Sequence, residues 1–236
     1  MNPLHLWLPQ LAALFLFQAA DPVAELRRAR GLAEAGDLNG AAAVLEQATA
    51  SFPSWGLAHV ELADVLMRAG LEPARQGAAL EQARRLEPQN PRVWVLSARW
   101  YEAQGQTDAA VDACGRALGL REDLPDTRLQ LGLLLAGAGR FAEAIAPLKR
   151  TVQQRPEERS ARANLAEACE RTGDLACAEA ELRALWKLNA GNAVYAKRLA
   201  RFLERIGKPE QAAAVLKEAG EAPVGRKLRP LPDSKR

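Results

Sequence analysis

The chain holds only two histidines, His5 and His59, and three cysteines, Cys114, Cys169 and Cys177, among its 236 residues. That scarcity excludes several chemistries at once. Zinc wants four ligands, so a cysteine pair with no histidine near it leaves the set incomplete, and no metal is expected. The histidines form no triad with a serine and an acid, and no G-x-S-x-G, H-E-x-x-H or glycine-rich phosphate loop occurs. No catalytic residue and no cofactor is expected, and the chain is read as a non-enzyme. Runs of alternating β-branched residues are missing too, which removes strands. So is a large excess of one charge: 32 Lys and Arg against 29 Asp and Glu give a net +3. Arg226, Lys227, Arg229, Lys235 and Arg236 against Asp233 put +4 into residues 226–236, leaving the rest near −1. A basic footprint for nucleic acid is therefore absent from the body of the chain.

What is present is a beat. Gly36, Gly70, Gly105, Gly139, Gly173 and Gly207 stand 34, 35, 34, 34 and 34 residues apart. A fixed period of this length means one supersecondary unit stacked repeatedly. Seven residues before each glycine sits a small side chain: Ala29, Ala63, Ala98, Gly132, Ala166 and Ala200. Four before it sit Leu32, Leu66, Tyr101, Leu135, Cys169 and Leu203. These offsets share one helical face, and the glycine ends the helix because a left-handed turn costs it least. Asp37, Asp108 and Asp174 are placed to cap the next helix. Beyond each glycine a second face follows, with Ala41, Ala110, Ala144, Ala178 and Ala212, then Leu45, Leu80, Cys114, Leu148, Leu182 and Leu216. Pro53, Pro88 and Pro156 stop the second helices, since proline does not continue one from within. An extra residue near Glu72 and Pro73, with Gln76 in place of an alanine, predicts a late start for the second helix of that unit. The fold class is all-α, helix–turn–helix, repeated.

These residues resemble the tetratricopeptide repeat (TPR) family. Repeats starting at Pro22, Gly56, Pro91, Pro125, Arg159 and Ala193 fill its small-residue and glycine positions six times, over 22–55, 56–90, 91–124, 125–158, 159–192 and 193–226. The resemblance implies a right-handed superhelical solenoid that binds a protein or an extended peptide on its first helices. The family's groove positions fall on Arg92, Val95 and Arg99, then Leu129, Gln130 and Leu133, then Asn164 and Glu167, then Lys197, Arg198, Arg201 and Arg205. The last four make the C-terminal end of the groove basic, which suits an acidic segment; the same arginines also read as a solvated face. The family's carboxylate clamp does not carry over, because Leu26 and Arg30, Val95 and Arg99, and Leu129 and Leu133 occupy its Lys and Asn positions.

Residues 1–20 contain no acid, no lysine and no arginine, and are most apolar at Leu11–Phe17. They read as a secretory signal cleaved near residue 20, as an uncleaved hydrophobic anchor, or as a helix packed on the first repeat. Export to the periplasm or beyond is the reading taken, with membrane contact only through an uncleaved segment. Cys169 and Cys177 lie four residues either side of Gly173. Antiparallel helices bring such residues together, so they are either a disulfide staple or two small core residues. His59 and Cys114 read as packing residues. Residues 227–236 form a basic tail expected to be disordered. The expected function is a non-catalytic scaffold in a bacterial envelope. The alternatives are a tethered accessory subunit of an envelope assembly or secretion machine, and a regulatory solenoid associated with an enzyme.

Overall fold

The structure, a computed structural model, describes residues 21–189 and 192–220. The expected leader, 1–20, and the basic tail, 227–236, lie outside the described residues. Those described hold twelve α-helices and no strand. The chain divides into two compact units, Met1–Gln104 and Gly105–Arg236.

The first unit contains α1 (Pro22–Glu34), α2 (Leu38–Ser51), α3 (Gly56–Arg68), α4 (Pro73–Leu86) and α5 (Pro91–Ala103). Each packs on the next, and α3 also meets α5. The second contains α6 (Thr107–Leu120), α7 (Pro125–Gly137), α8 (Phe141–Gln154), α9 (Arg159–Thr172), α10 (Leu175–Leu188), α11 (Ala193–Arg205) and α12 (Pro209–Glu218). Again each packs on its successor, and α7 also meets α9.

The glycine beat has the conformation its spacing predicts. All six glycines have φ between +63° and +87°. After α1, the amide of Asp37 donates to Leu32 O at 2.9 Å and that of Gly36 to Ala33 O at 3.3 Å, the paired bonds of a Schellman stop. The same pair recurs at Gly70, Gly139 and Gly207. A seventh left-handed glycine, Gly220 (φ +71°), follows α12. That helix has 10 residues, whereas α2, α4, α6, α8 and α10 have 14 each.

Two glycines near the end of α1 separate backbone cost from packing cost. A Cβ built on Gly31 or on Gly36 meets nothing within 4 Å. Gly31 lies inside the helix, so Gly31→Ala is expected to stabilise by about 0.5–1 kcal/mol. Gly36 has φ +87°, so Gly36→Ala is expected to destabilise by about 1–2 kcal/mol. Urea unfolding of the two variants checks this, and shifts of the same sign would refute it.

Helix starts follow the sequence with one correction. Asp37 accepts from the amide of Gly40 at 2.8 Å and Asp174 from that of Cys177 at 3.0 Å. Asp108 does not cap. It stands three residues after its glycine instead of one, and so falls within the first turn of α6, where Gln106 is the N-cap residue. Its carboxylate meets Arg140 at 3.3 Å instead. Helix α4 begins three residues after Gly70, where the other second helices begin two residues after theirs. The Gln76 amide there donates to Leu71 O at 2.6 Å, closing the longer turn. Helices α2, α4 and α8 end two residues before Pro53, Pro88 and Pro156.

Pro147 departs from the rule that proline stops a helix: it lies inside α8, which continues to Gln154. The face carrying Ala144, Leu148 and Thr151 is fully buried, and this packing outweighs the backbone bond that Pro147 cannot donate.

The small-residue positions are the contact faces. Ala29, Ala63, Ala98, Ala166 and Ala200 are buried to within about a hundredth of their surface. Gly132 takes that place in α7, where an added Cβ would stand 2.6 Å from Leu148 Cδ2. Ala41, Ala110, Ala144, Ala178 and Ala212 on the second helices are fully buried as well. Cys169 and Cys177 are joined, with Cα atoms 5.8 Å apart, inside the usual span for a disulfide. Their bond ties α9 to α10. Cys114 is fully buried in α6.

Candidate binding surfaces

Two clusters of charge lie on first helices, one in each unit, and they differ in how far they neutralise themselves. In the first unit Glu61 projects from the middle of α3 and is only 6% exposed. Its Oε1 accepts from Arg30 of α1 at 2.5 Å and from Arg92 of α5 at 2.8 Å, and its Oε2 from Arg92 at 3.1 Å. Arg92 also reaches Asp64 Oδ2 at 3.0 Å, and Arg68 lies 3.8 Å from that oxygen. The cluster borders a cavity of about 280 Å³ floored by Ala29, Ala33 and Val65. Burial works against ionisation of Glu61, but the hydrogen bonds and charges of Arg92 and Arg30 outweigh it and hold its pKa below the ordinary glutamate value. With Glu34 in the same lining, three guanidiniums (Arg30, Arg68 and Arg92) thus face three carboxylates. His59 is buried on the same helix, its Nε2 3.1 Å from Pro53 O, in the packing role expected of it.

In the second unit the charges are not balanced. A cavity of about 700 Å³ lies between α9 and α11. Arg171, Lys197, Arg198, Arg201 and Arg205 line it against two acids, Glu167 and Glu170. One acid is taken: Arg205 pairs with Glu170. Arg205 also lies over the ring of Phe202, 6.0 Å from its centre, and its Nε is buried without a hydrogen-bond partner. Arg198 donates from one terminal guanidinium nitrogen to Ala163 O at 3.2 Å, which uses part of its head group and leaves further guanidinium donors. Arg171 stacks on Phe141, 4.7 Å from the ring centre. Arg201 is exposed and has no ion-pair partner among the described residues. Apolar floor comes from Leu182 and Phe202, and Val194, 70% exposed, stands at one end.

Of the twelve groove residues expected from sequence, five line this cavity: Glu167, Lys197, Arg198, Arg201 and Arg205. Asn164 is half-buried and donates to Ser160 O at 2.8 Å within its own helix. Leu129, Gln130 and Leu133 lie half-buried along α7, Val95 is half-buried on α5, and Arg99 is exposed there. Arg92 is engaged by Glu61 and Asp64. The sequence analysis did not single out Glu61 and Asp64, nor Glu170, Arg171 and Val194. All five sit at the offsets that marked the other groove residues, so a signal was there to be read.

Three family models described as tetratricopeptide repeat match the chain, over residues 26–74, 93–128 and 135–197. Among solved structures, YrrB, "a TPR protein with an unusual peptide-binding site", is 19% identical with a TM-score of 0.66, covering 74% of this chain and 90% of its own. A MamA protein is 20% identical with a TM-score of 0.64, covering 74% and 94%. PilF of Pseudomonas aeruginosa is 18% identical with a TM-score of 0.60, covering 84% and 89%. At these identities the likeness is one of fold. No curated protein sequence matches.

Proposed function

The chain carries tetratricopeptide repeats, and from that premise we propose that it is a non-catalytic scaffold that holds an extended acidic segment of a protein partner between α9 and α11. One observation carries the reading. Five cations line that cavity against two acids, one of them already paired, whereas the first unit's cluster is neutralised from within. The chemistry of a groove with excess guanidinium is capture of carboxylates, and field lines from several cations speed encounter with an acidic guest. The peptide-binding site ascribed to YrrB is consistent with such a use of the fold.

The test is binding of labelled peptides to the full chain, followed by fluorescence anisotropy. An acidic extended peptide should bind more tightly than a neutral one of equal length. The double variant Arg198→Glu with Arg201→Glu should weaken it by about tenfold or more, and added salt should do the same. Equal binding of acidic and neutral peptides, or no response to the double variant, would show that these side chains are only a solvated face.

We place the scaffold in a bacterial envelope. Two features support that reading: the apolar, uncharged stretch at 1–20, and a Cys169–Cys177 bond of the sort that persists in oxidising compartments. Sequencing the N-terminus of the chain recovered from cells checks it. A start near Asp21 is the expected result, and a retained Met1 would favour a membrane tether instead.

A further inference from the structure

The fifth hairpin is held at its tip differently from the rest. Four residues before the turn glycine, the other five repeats place a large side chain: Leu32, Leu66, Tyr101, Leu135 and Leu203. The fifth places Cys169 there, and a cysteine fills less space than any of them. A covalent bond to Cys177, in the first turn of α10, supplies the hold instead. The rest of the tip does not depend on that bond. Gly173 makes the turn with φ +86°, Asp174 caps the amide of Cys177, and Ala166, Ala178 and Leu182 are buried. Opening the bond therefore loosens this hairpin without unfolding it.

The bond also stands beside the groove. Glu170 and Arg171 follow Cys169 directly in α9, and both line the cavity. Glu170 holds Arg205 of the opposite wall, and Arg171 stacks on Phe141. Helix α10 packs on both α9 and α11 and gives Leu182 to the floor, so the seat of α9 on α10 sets how the walls face each other. A groove fixed in advance binds more tightly than one that must be ordered by its guest.

We propose that the Cys169–Cys177 bond is a redox control on the α9–α11 groove: oxidised, the chain holds its acidic guest, and reduced, it lets go. The reductant is a dithiol. Cys169 is fully buried and Cys177 half-buried, so a thiolate of the reductant attacks the sulfur of Cys177 and Cys169 leaves. The second thiol then displaces Cys177 from the mixed disulfide. Two electrons and two protons pass to the cysteine pair, and the two sulfurs of the reductant end joined. The proposal rests on the acidic-groove reading above and adds its regulation.

A labelled hexaglutamate peptide is titrated against the full chain by anisotropy, before and after treatment with dithiothreitol. Thiol counting in denaturant should give one thiol before, Cys114, and three after. Reduction is expected to weaken binding about fivefold or more while the helical circular dichroism signal is kept. Cys177→Ser should bind as the reduced chain does and ignore dithiothreitol. Because the coupling is reciprocal, saturating peptide should raise the ratio of reduced to oxidised dithiothreitol at half reduction by the same factor. Equal or tighter binding after reduction overturns the control and leaves the acidic groove standing. A response of Cys177→Ser to dithiothreitol overturns it as well. So does loss of the helical signal on reduction, which would make the bond a structural staple. Failure of the peptide to bind in either state removes the groove reading and its control together.

Discussion

Phe202→Ala is expected to lower stability by about 3–5 kcal/mol and to undock the last hairpin. Phe202 is the largest of the fully buried side chains, 1% exposed, and α11, which carries it, packs on both α10 and α12. Leu199 and Leu203 on the same helix are themselves fully buried, and close-packed side chains relax only partly into a space left by truncation. The loss should also be local. In repeat proteins each unit is held by its neighbours alone, so a cavity in the terminal hairpin weakens one interface. Hydrogen exchange should show protection lost in α11 and α12 and kept in α7, α8 and α9. Uniform loss across the second unit, or an unchanged melting temperature, would contradict this account. The variant should also weaken acidic peptides, because Phe202 is both part of the groove floor and the platform under Arg205.

Glu61→Gln is expected to cost about 2–4 kcal/mol at neutral pH. Breaking a buried ion pair by removing one partner typically costs about 3–5 kcal/mol, and the lower range applies because Arg30 and Arg92 keep partial access to water. The pH dependence follows from the direction of its shift. The folded pKa lies below the unfolded one, so the stabilisation is fully present above the unfolded value and is lost as pH falls through the folded one. The first unit should therefore weaken below about pH 4, and the glutamine variant should show a flatter acid limb. Unfolding curves collected from pH 7 to pH 3 decide it. Parallel curves for the two proteins would mean that Glu61 does not carry the charge assigned to it.

How much of this was legible in the sequence depends on the kind of interaction. Gly36, Gly173 and their equivalents announced the hairpin tips because backbone conformation is a local property, dictated by a missing Cβ. Ala29 and Leu45 announced the contact faces because helical period follows from residue order. Cys169 and Cys177 were placed together by the same symmetry about a turn, with pairing and simple burial left open. Glu61 could not be read in the same way. Its burial depends on Arg30 and Arg92, each 31 residues away, and no local pattern separates a carboxylate held by two arginines from one in water. Asp108 failed for a smaller reason: a cap works at one position, and a shift of two residues turns it into a first-turn acid. Pro147 failed because packing over a whole helix face can override a single backbone defect. The basic groove fell between these cases. Its cations were visible, but Glu170 and Phe202, which decide how Arg205 is held, emerged only once α9 and α11 lay side by side.

Gly220 bears on how such a chain can grow. The residues directly after the five earlier second helices, Phe52, Glu87, Arg121, Arg155 and Asn189, have negative φ. Among the described residues, only α12, shortened to 10 residues, is followed by the left-handed glycine that elsewhere closes a first helix. In the grammar of the repeat, a full stop of the wrong kind stands there. Copying a 34-residue unit into the interior preserves every junction the chain already uses. A unit joined directly after Gly220 would follow a left-handed stop, where the residues directly after the other second helices keep negative φ.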